Sequence, residues 1–429
     1  VNGATARAAY SLLLRLVSPL YLLRVLWRGR SEPLYSNSIG ERFGLYAEQA
    51  APRSPLWIHA VSLGETRAAG PLIDALRARL PGRPLLLTHG TATGRAAGQT
   101  LLREGDAQAW LPFDTPGAVC RFLEHFAPAA GVLMETEIWP NLIGIATQRG
   151  VPMLLANARM SERSQRRGRR VAALLRPAFD SLAATFAQTD ADTARLRAAG
   201  ARNLTVTGNL KFDLTPDARL IDRGRAWRAA AGGRAVVLAA ITREGEEAML
   251  LAAWRALAMP RPLLVIVPRH PQRFESVAEL IENSGFSLSR RSVWPNTPPA
   301  EAATADIWLG DSMMEMPAYY ALADVALLGG SFAPLGGQNL IEAAACGCPL
   351  VMGLHTFNFS DAAELALVAG AAVRVETLAE GVVRALAIIG SDEQAQRAHA
   401  AIAFAAAHRG AAARIATQIA TLLEGRAPP

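Results

Sequence analysis

The stretch LWIHAVSLGETRAAGPLIDALRARL, residues 56–80, decides how the chain is read. It opens on a short apolar run (56–61), turns through Ser62, Leu63 and Gly64, and continues as an amphipathic segment (72–80). A short apolar run that gives way at once to a helical pattern is one strand–helix unit of a parallel sheet covered on both faces. Glu65 stands directly after Gly64, where the helix begins. Two readings are open there. A carboxylate in the first turn is favoured by the helix dipole by roughly 0.3–1 kcal/mol and needs no other role. The same dipole would keep it ionised, as a general base has to be, and Gly64 would let a bulky acceptor approach the backbone. His59, within the strand, reads as a packing or orienting group.

The pattern repeats outward from this unit. Apolar runs follow at 84–89, 130–134, 152–156, 184–189 and 204–208, with helical stretches between them. Around 213–233 the pattern lapses into a charged stretch, then restarts with runs at 235–241, 263–268, 305–310, 324–330, 349–353 and 371–375, and the chain ends in alanine-rich helix. This predicts an α/β chain with two Rossmann-like, doubly wound domains, at 31–210 and 233–429, joined by a linker at 211–232. The last helices have the option of crossing back to the first domain. Two such domains facing each other would form a cleft at the carboxyl ends of both sheets, where open α/β folds bind ligands.

The 429 residues suit two domains of about 200 residues each. Three cysteines, Cys120, Cys346 and Cys348, are too few and unevenly placed for a disulfide framework. No second ligand pair accompanies Cys346-Gly-Cys348, so no zinc site is expected. The net charge of +7 is uneven: residues 1–210 hold 25 Arg and 15 acids, whereas residues 211–429 hold 19 basic and 22 acidic residues. The front half should attract anions, either nucleic acid or anionic lipid. The N-terminus favours lipid. Residues 10–27 are strongly apolar but interrupted by Arg15, Pro19 and Arg24, and Trp27, Arg28 and Arg30 follow as at a membrane–water interface. Residues 1–30 therefore read as a helix that docks on or dips into a membrane. Packing on its own domain and a single span are the alternatives. No small-residue cleavage site follows, which speaks against a removed signal peptide.

Several strand ends carry chemistry. METEIWPN (134–141) puts Glu135 and Glu137 on one face of an extended segment, ahead of a rigid Trp139-Pro140 turn. NARMSERSQRRGRR (157–170) places Arg159 just after a strand end, and its later arginines face lipid phosphate or water. VPRHPQRF (267–274) ends a strand on Pro268-Arg269, where an arginine can grip phosphate bidentately. GGSFAPLGGQNLIEAAACGCP (329–349) breaks a strand with glycines and starts a helix at Asn339, whose free N–H groups would suit a phosphate. Glu342, one turn in, is placed to take ribose hydroxyls. Neither a G-x-G-x-x-G nor a Walker A loop is present, which counts against dinucleotide oxidoreductases and NTPases.

Taken together these pieces resemble the 3-deoxy-D-manno-octulosonic acid (Kdo) transferases of lipopolysaccharide synthesis. GERFGLY (40–46), HAVSLGETRAA (59–69), METEIWPNL (134–142), NARMS (157–161), TGNLKFD (207–213), EGEE (244–247), VPRHPQRF, GDSM-x-E (310–315), GGSFAPLGGQN (329–339) and MGLHTFNF (352–359) occur in the family's order, over nearly the whole chain. The resemblance implies a GT-B fold and inverting transfer of Kdo from CMP-Kdo to a lipid A precursor (lipid IVA), with no cofactor or catalytic metal. It implies an enzyme at the cytoplasmic face of the bacterial inner membrane, with no nucleic-acid partner. Glu65 takes the place of the family's general base. Pro268 and Arg269, Met313, Met314 and Glu315, and Asn339, Leu340, Ile341 and Glu342 take the places of its CMP contacts. Gly64, Glu135, Glu137, Arg159 and Lys211 are the expected acceptor and support positions. Met314 replaces a family glycine, and Arg243 stands where a histidine is common. A GT-B enzyme using a UDP-sugar, or a non-catalytic membrane-surface protein, are the alternatives.

Overall fold

The structure is a computed structural model that describes residues 2–46 and 52–425. The chain divides into two compact units, Val1–Leu214 with Arg409–Pro429, and Thr215–His408.

The first unit is built on a seven-stranded parallel sheet. Its strands are β1 (Leu56–His59), β2 (Leu85–His89), β3 (Ala107–Trp110), β4 (Ala130–Met134), β5 (Met153–Ala158), β6 (Ala184–Ala187) and β7 (Leu204–Val206), in the order β3-β2-β1-β4-β5-β6-β7. Side chains alternate across the pleat, so Leu56 and Ile58 enter the core on one face and Trp57 the core on the other. Both faces are thus covered, which is why β1 reads as a continuous apolar run. The C-terminal helix Ala411–Glu424 returns to this unit and packs on the helix Leu63–Arg79, with Ile415 and Ile419 fully buried. Asp213 fixes the return by accepting from the N–H groups of Gly410 (2.5 Å) and Ala412 (2.6 Å).

The second unit repeats the plan. Strands β8 (Val236–Thr242), β9 (Leu263–Pro268), β10 (Leu288–Arg290), β11 (Ile307–Leu309), β12 (Val325–Leu328), β13 (Leu350–Met352) and β14 (Ala372–Arg374) run parallel in the order β10-β11-β9-β8-β12-β13-β14. The expected α/β class with two doubly wound sheets is therefore correct.

The expected linker at 211–232 is not a linker. Ala218–Ala230 is a helix that packs on Met316–Leu322 of the second unit, with Trp227 fully buried between Trp294 and Tyr319. Arg219, Asp222 and Arg225 are exposed, whereas Arg223 and Arg228 pair with Glu315 and Asp324; the charged run gave it the look of an unstructured connection. Of the two options for the last helices, the chain takes the return: residues from Arg409 onward belong with the first unit.

The N-terminal helix Gly3–Gly29 is held to the first unit by Tyr10, which donates to Asp114 (3.0 Å), and Ser11, which donates to Asn141 (3.1 Å). Tyr21 meets Phe113 edge-on. Its remaining surface is apolar and open: Leu12, Leu13, Leu16, Leu20, Leu23 and Trp27 are all exposed, and Val25 is the one residue it buries. By length and composition it could cross a membrane.

Candidate active site

The strand order reverses between β1 and β4 in the first sheet and between β8 and β12 in the second, where β10 and β11 also exchange places at one edge. Side chains at the carboxyl ends of these strands are where an open α/β sheet presents a ligand site.

At the first reversal, Ser62 caps the helix Leu63–Arg79 and accepts from the Glu65 N–H (3.4 Å). Glu65 folds back over the turn, with Oε2 accepting from the Val61 N–H (2.8 Å) and Oε1 from the Ser62 hydroxyl (3.1 Å). This is a capping arrangement, yet each carboxylate oxygen keeps room for a second donor. Gly64 is exposed, and a Cβ there would meet only the Ser62 hydroxyl, at 4.0 Å. Local packing does not demand glycine; the space beside the backbone is open.

Glu65 was expected to be held ionised by the helix dipole, and the structure corrects that reason. Burial pushes its carboxyl up to about 7; the Val61 bond opposes this, and the charges of Glu135 and Glu137 add to it. Desolvation and like charge outweigh the dipole.

Glu135 and Asn157, at the ends of β4 and β5, both lie in the left-handed region (φ +57° and +54°). At Asn157 the β5–β6 pairing slips its register. Such backbone is held in place by its surroundings and gathers at functional sites. Asn157 is fully buried, and its side-chain oxygen accepts from the Leu210 N–H (3.0 Å). That bond fixes the turn Leu210–Asp213 and so presents Lys211, whose Nζ lies 2.9 Å from Glu135; Arg159 lies 3.8 Å from the other oxygen of Glu135. Glu137 accepts from the Trp139 indole (2.8 Å), and its carboxyl is raised by burial and by the charge of Glu135. His59 is fully buried, bonded to Thr88 (2.9 Å), and pushed down to about 3 by burial and by His89. It stays neutral, and its Nε2 lies 4.0 Å from Glu137, too far for a hydrogen bond.

The second reversal has the opposite charge. Ile241, one residue before the end of β8, lies at φ +60°, a strained state for a β-branched residue. A Cβ on Gly329 would meet the Ile241 carbonyl at 2.3 Å, so only glycine lets β12 pass there. Buried Glu246 ties the two strand ends together by accepting from the N–H groups of Gly330 (2.8 Å), Arg243 (2.9 Å) and Phe332 (3.3 Å). Glu247 receives Arg273 bidentately (2.7 and 2.8 Å) and the Thr242 hydroxyl (2.6 Å). The acids here are committed to the scaffold. Of the cations, Arg273 is held by Glu247 and Arg243 by the exposed Glu244 (3.1 Å), whereas Arg269 has no carboxylate partner among the described residues. Arg269 is exposed as a whole, but desolvation around its guanidinium, and then the like charge of Arg243, lower its pKa. His270 is lowered by burial and by Arg243 and Arg269. An unpaired guanidinium beside further cations is an anion site.

A family profile described as 3-deoxy-D-manno-octulosonic-acid transferase (kdotransferase) matches residues 37–214. The 3-deoxy-D-manno-octulosonic acid transferase of Bordetella pertussis is 48% identical over 424 residues, 95% of this chain and 97% of that one. The chain belongs to the Kdo transferase family. The Haemophilus influenzae transferase of the same name is 34% identical over 401 residues, covering 91% and 92% of the two chains. Two solved structures share the fold alone, at 13% identity. A glycosyltransferase from Rickettsia africae has a TM-score of 0.56, and UDP-GlcNAc 2-epimerase from Neisseria meningitidis, bound to UDP-GlcNAc, one of 0.57. Each is covered completely by 87% of this chain. The fold is GT-B.

In this member of the Kdo transferase family, Glu65, Glu135, Glu137, Arg159 and Lys211 come together at one strand-end cluster. Pro268 ends β9 and delivers Arg269 to the cationic cluster. The other expected donor positions behave differently from a simple side-chain contact. Leu340 and Ile341 are buried, so their side chains belong to the core and are not available to a ligand. The helix they open, Leu340–Ala345, is six residues long, and Asn339 already accepts from the Ile341 N–H (3.2 Å). Glu342 is also buried. Met313 and Met314 are exposed, with Met314 at φ +65°, the conformation that the family glycine would take without strain. Burial acts to raise the Glu315 carboxyl, but the Ser312 hydroxyl, Arg291 (3.0 Å) and Arg223 (2.5 Å) hold it below the usual carboxylate range. That carboxylate is a structural hub. Glu246 was not singled out by sequence reasoning; of the two adjacent glutamates in EGEE, nothing in the pattern tells which one gathers backbone N–H groups.

Proposed function

We propose that this protein transfers Kdo from CMP-Kdo to a hydroxyl of a lipid A precursor, lipid IVA, with inversion at the anomeric carbon. It would work at the cytoplasmic face of the inner membrane, docked through the open apolar face of Gly3–Gly29. The observation that carries the reading is Glu65: a half-buried carboxylate near neutral pKa, at the sheet reversal of a chain that belongs to the Kdo transferase family.

A general base works best with a pKa near the operating pH. Glu65 accepts the proton of a glucosamine hydroxyl as that oxygen bonds to the anomeric carbon of Kdo. The bond from that carbon to the cytidylate phosphate breaks, and CMP leaves with the electron pair. Arg269 balances the phosphate charge that develops, with Arg243 beside it. Lys211 and Arg159 offset Glu135, so that three carboxylates can stand together beside a bis-phosphorylated acceptor. This chemistry needs no metal.

The experiment is product analysis by mass spectrometry after incubation with CMP-Kdo and tetra-acylated lipid A precursor. The acceptor should gain the mass of Kdo and CMP should be released. Transfer from a UDP-sugar with none from CMP-Kdo would overturn the reading.

A further inference from the structure

Beside the carboxylate cluster, within the first unit, lies a cavity of about 400 Å³ that the proposed chemistry does not use. Its walls are mostly apolar, from Ile138, Leu155, Leu175, Phe179 and Leu196. Glu135 and Arg159 also border it, so it opens from the candidate site itself. One wall is the helix Glu162–Arg169, which buries none of its own residues. The opposite wall, the helix Ala172–Asp180, is the one against which the N-terminal helix packs, and Gly3 lies against Pro177. Arg169 and Arg176 also line the cavity and hold no ion pair among the described residues.

We infer that this cavity receives an acyl chain of the acceptor lipid. The inference rests on the reading that the acceptor is a lipid A precursor. A volume of about 300–1,000 Å³ is ordinary for a ligand site. Apolar walls select a hydrocarbon chain. Cations along the same walls select an anionic head group on it. Because the cavity shares Glu135 and Arg159 with the cluster around Glu65, a chain seated in it holds its own sugar head group at the base. A bulk phospholipid in the cavity would put its phosphate there instead and block the reaction. The occupant is therefore the acceptor, drawn from the lipid surface along the apolar N-terminal helix.

Gly168 offers a clean way to fill the space. A Cβ on it would meet only the Leu175 side chain, at 3.7 Å, an ordinary contact directed at a cavity-lining residue. The test measures transfer to the acylated glucosamine disaccharide bisphosphate and to its fully deacylated counterpart, in wild type and in Gly168→Leu. The variant should raise KM for the acylated acceptor about tenfold, the loss of roughly two buried methylenes, and leave kcat/KM for the deacylated one unchanged. An equal effect on both acceptors, or none on either, overturns the acyl pocket while transfer itself stands. A wild type that transfers Kdo to neither acceptor refutes the lipid A reading and the acyl pocket with it. Occupancy is also read without turnover, from an acceptor with a diazirine at the end of an acyl chain. Cross-links at Leu175 or Leu196 support the pocket. Labelling confined to the N-terminal helix, or equal labelling by a diazirine phospholipid, overturns it.

Discussion

At the reversal of the first sheet, Glu65, Glu135 and Glu137 gather with two cations, and both cations face Glu135. At the reversal of the second, Glu246 and Glu247 are consumed by backbone N–H groups, Thr242 and Arg273, and Arg269 is left unpaired. Similar sheets thus present opposite charge at equivalent places. The difference lies in what the carboxylates hold. Where acids satisfy the scaffold, the site is cationic and suited to a phosphate. Where they face one another, burial and then mutual repulsion raise Glu65 to about 7; burial and Glu247 raise Glu246 too, but its three backbone N–H bonds oppose the rise and occupy its oxygens. Strain marks both places, at Glu135 and Asn157 in one and at Ile241 in the other.

Glu65→Gln breaks the first half of this comparison most severely. Loss of a general base lowers kcat by about 10²- to 10⁴-fold, and CMP-Kdo binding should remain. The same variant reports on stability. The folded-state pKa of about 7 lies above the ordinary 4.5, so the folded protein binds more protons between these values and loses stability as pH rises through them. Glu65→Gln removes that loss: it should melt higher than wild type at pH 8 and nearly level with it at pH 4. A lower melting temperature at pH 8 would contradict the origin assigned to the shift.

Arg269→Ala breaks the second half. Removing a charge-assisted bond costs roughly 1.5–3 kcal/mol, so KM for CMP-Kdo should rise about 10- to 100-fold with a smaller change in KM for the acceptor. An unchanged donor KM would show that the unpaired guanidinium holds no phosphate. Glu137→Gln sharpens the comparison. It removes a charge that raises Glu65, so the acid limb of the rate profile moves to lower pH; a limb that moves upward would assign the base elsewhere. The smallest effect is at Met314. A left-handed side-chain residue costs about 1–2 kcal/mol, and glycine returns part of that through the unfolded chain. Met314→Gly should stabilise the protein by about 0.5–1 kcal/mol in chemical denaturation, whereas a destabilised variant would show that the exposed side chain makes contacts worth keeping.

Much of the fold was legible because doubly buried strands are short continuous apolar runs, as at LWIH and LLVIVP. The strands that escaped notice were β3 (AQAW) and β10 (LSR), both at sheet edges, where one side is unpaired and polar residues are tolerated. Trp227 alone signalled that the charged stretch near 220 was a packed helix. Position at a strand end was enough to place Glu65, Glu135 and Arg269 beside the points where the sheets reverse. The pKa of Glu65 was not legible, because it arises first from burial and then from the charges of Glu135 and Glu137, 70 and 72 positions away, and only the folded sheet supplies either. The structural commitment of Glu315 was hidden for the same reason: its partners, Arg223 and Arg291, are distant in sequence.

The most direct test of the central claim is the pH dependence of kcat/KM for the acceptor, in wild type and in Glu65→Gln. Wild-type activity should fall below an apparent pKa of about 7, and the residual activity of the variant should lack that limb. A wild-type profile flat from about pH 5.5 to 8.5, or a variant that keeps both the rate and the limb, would remove Glu65 from the reaction.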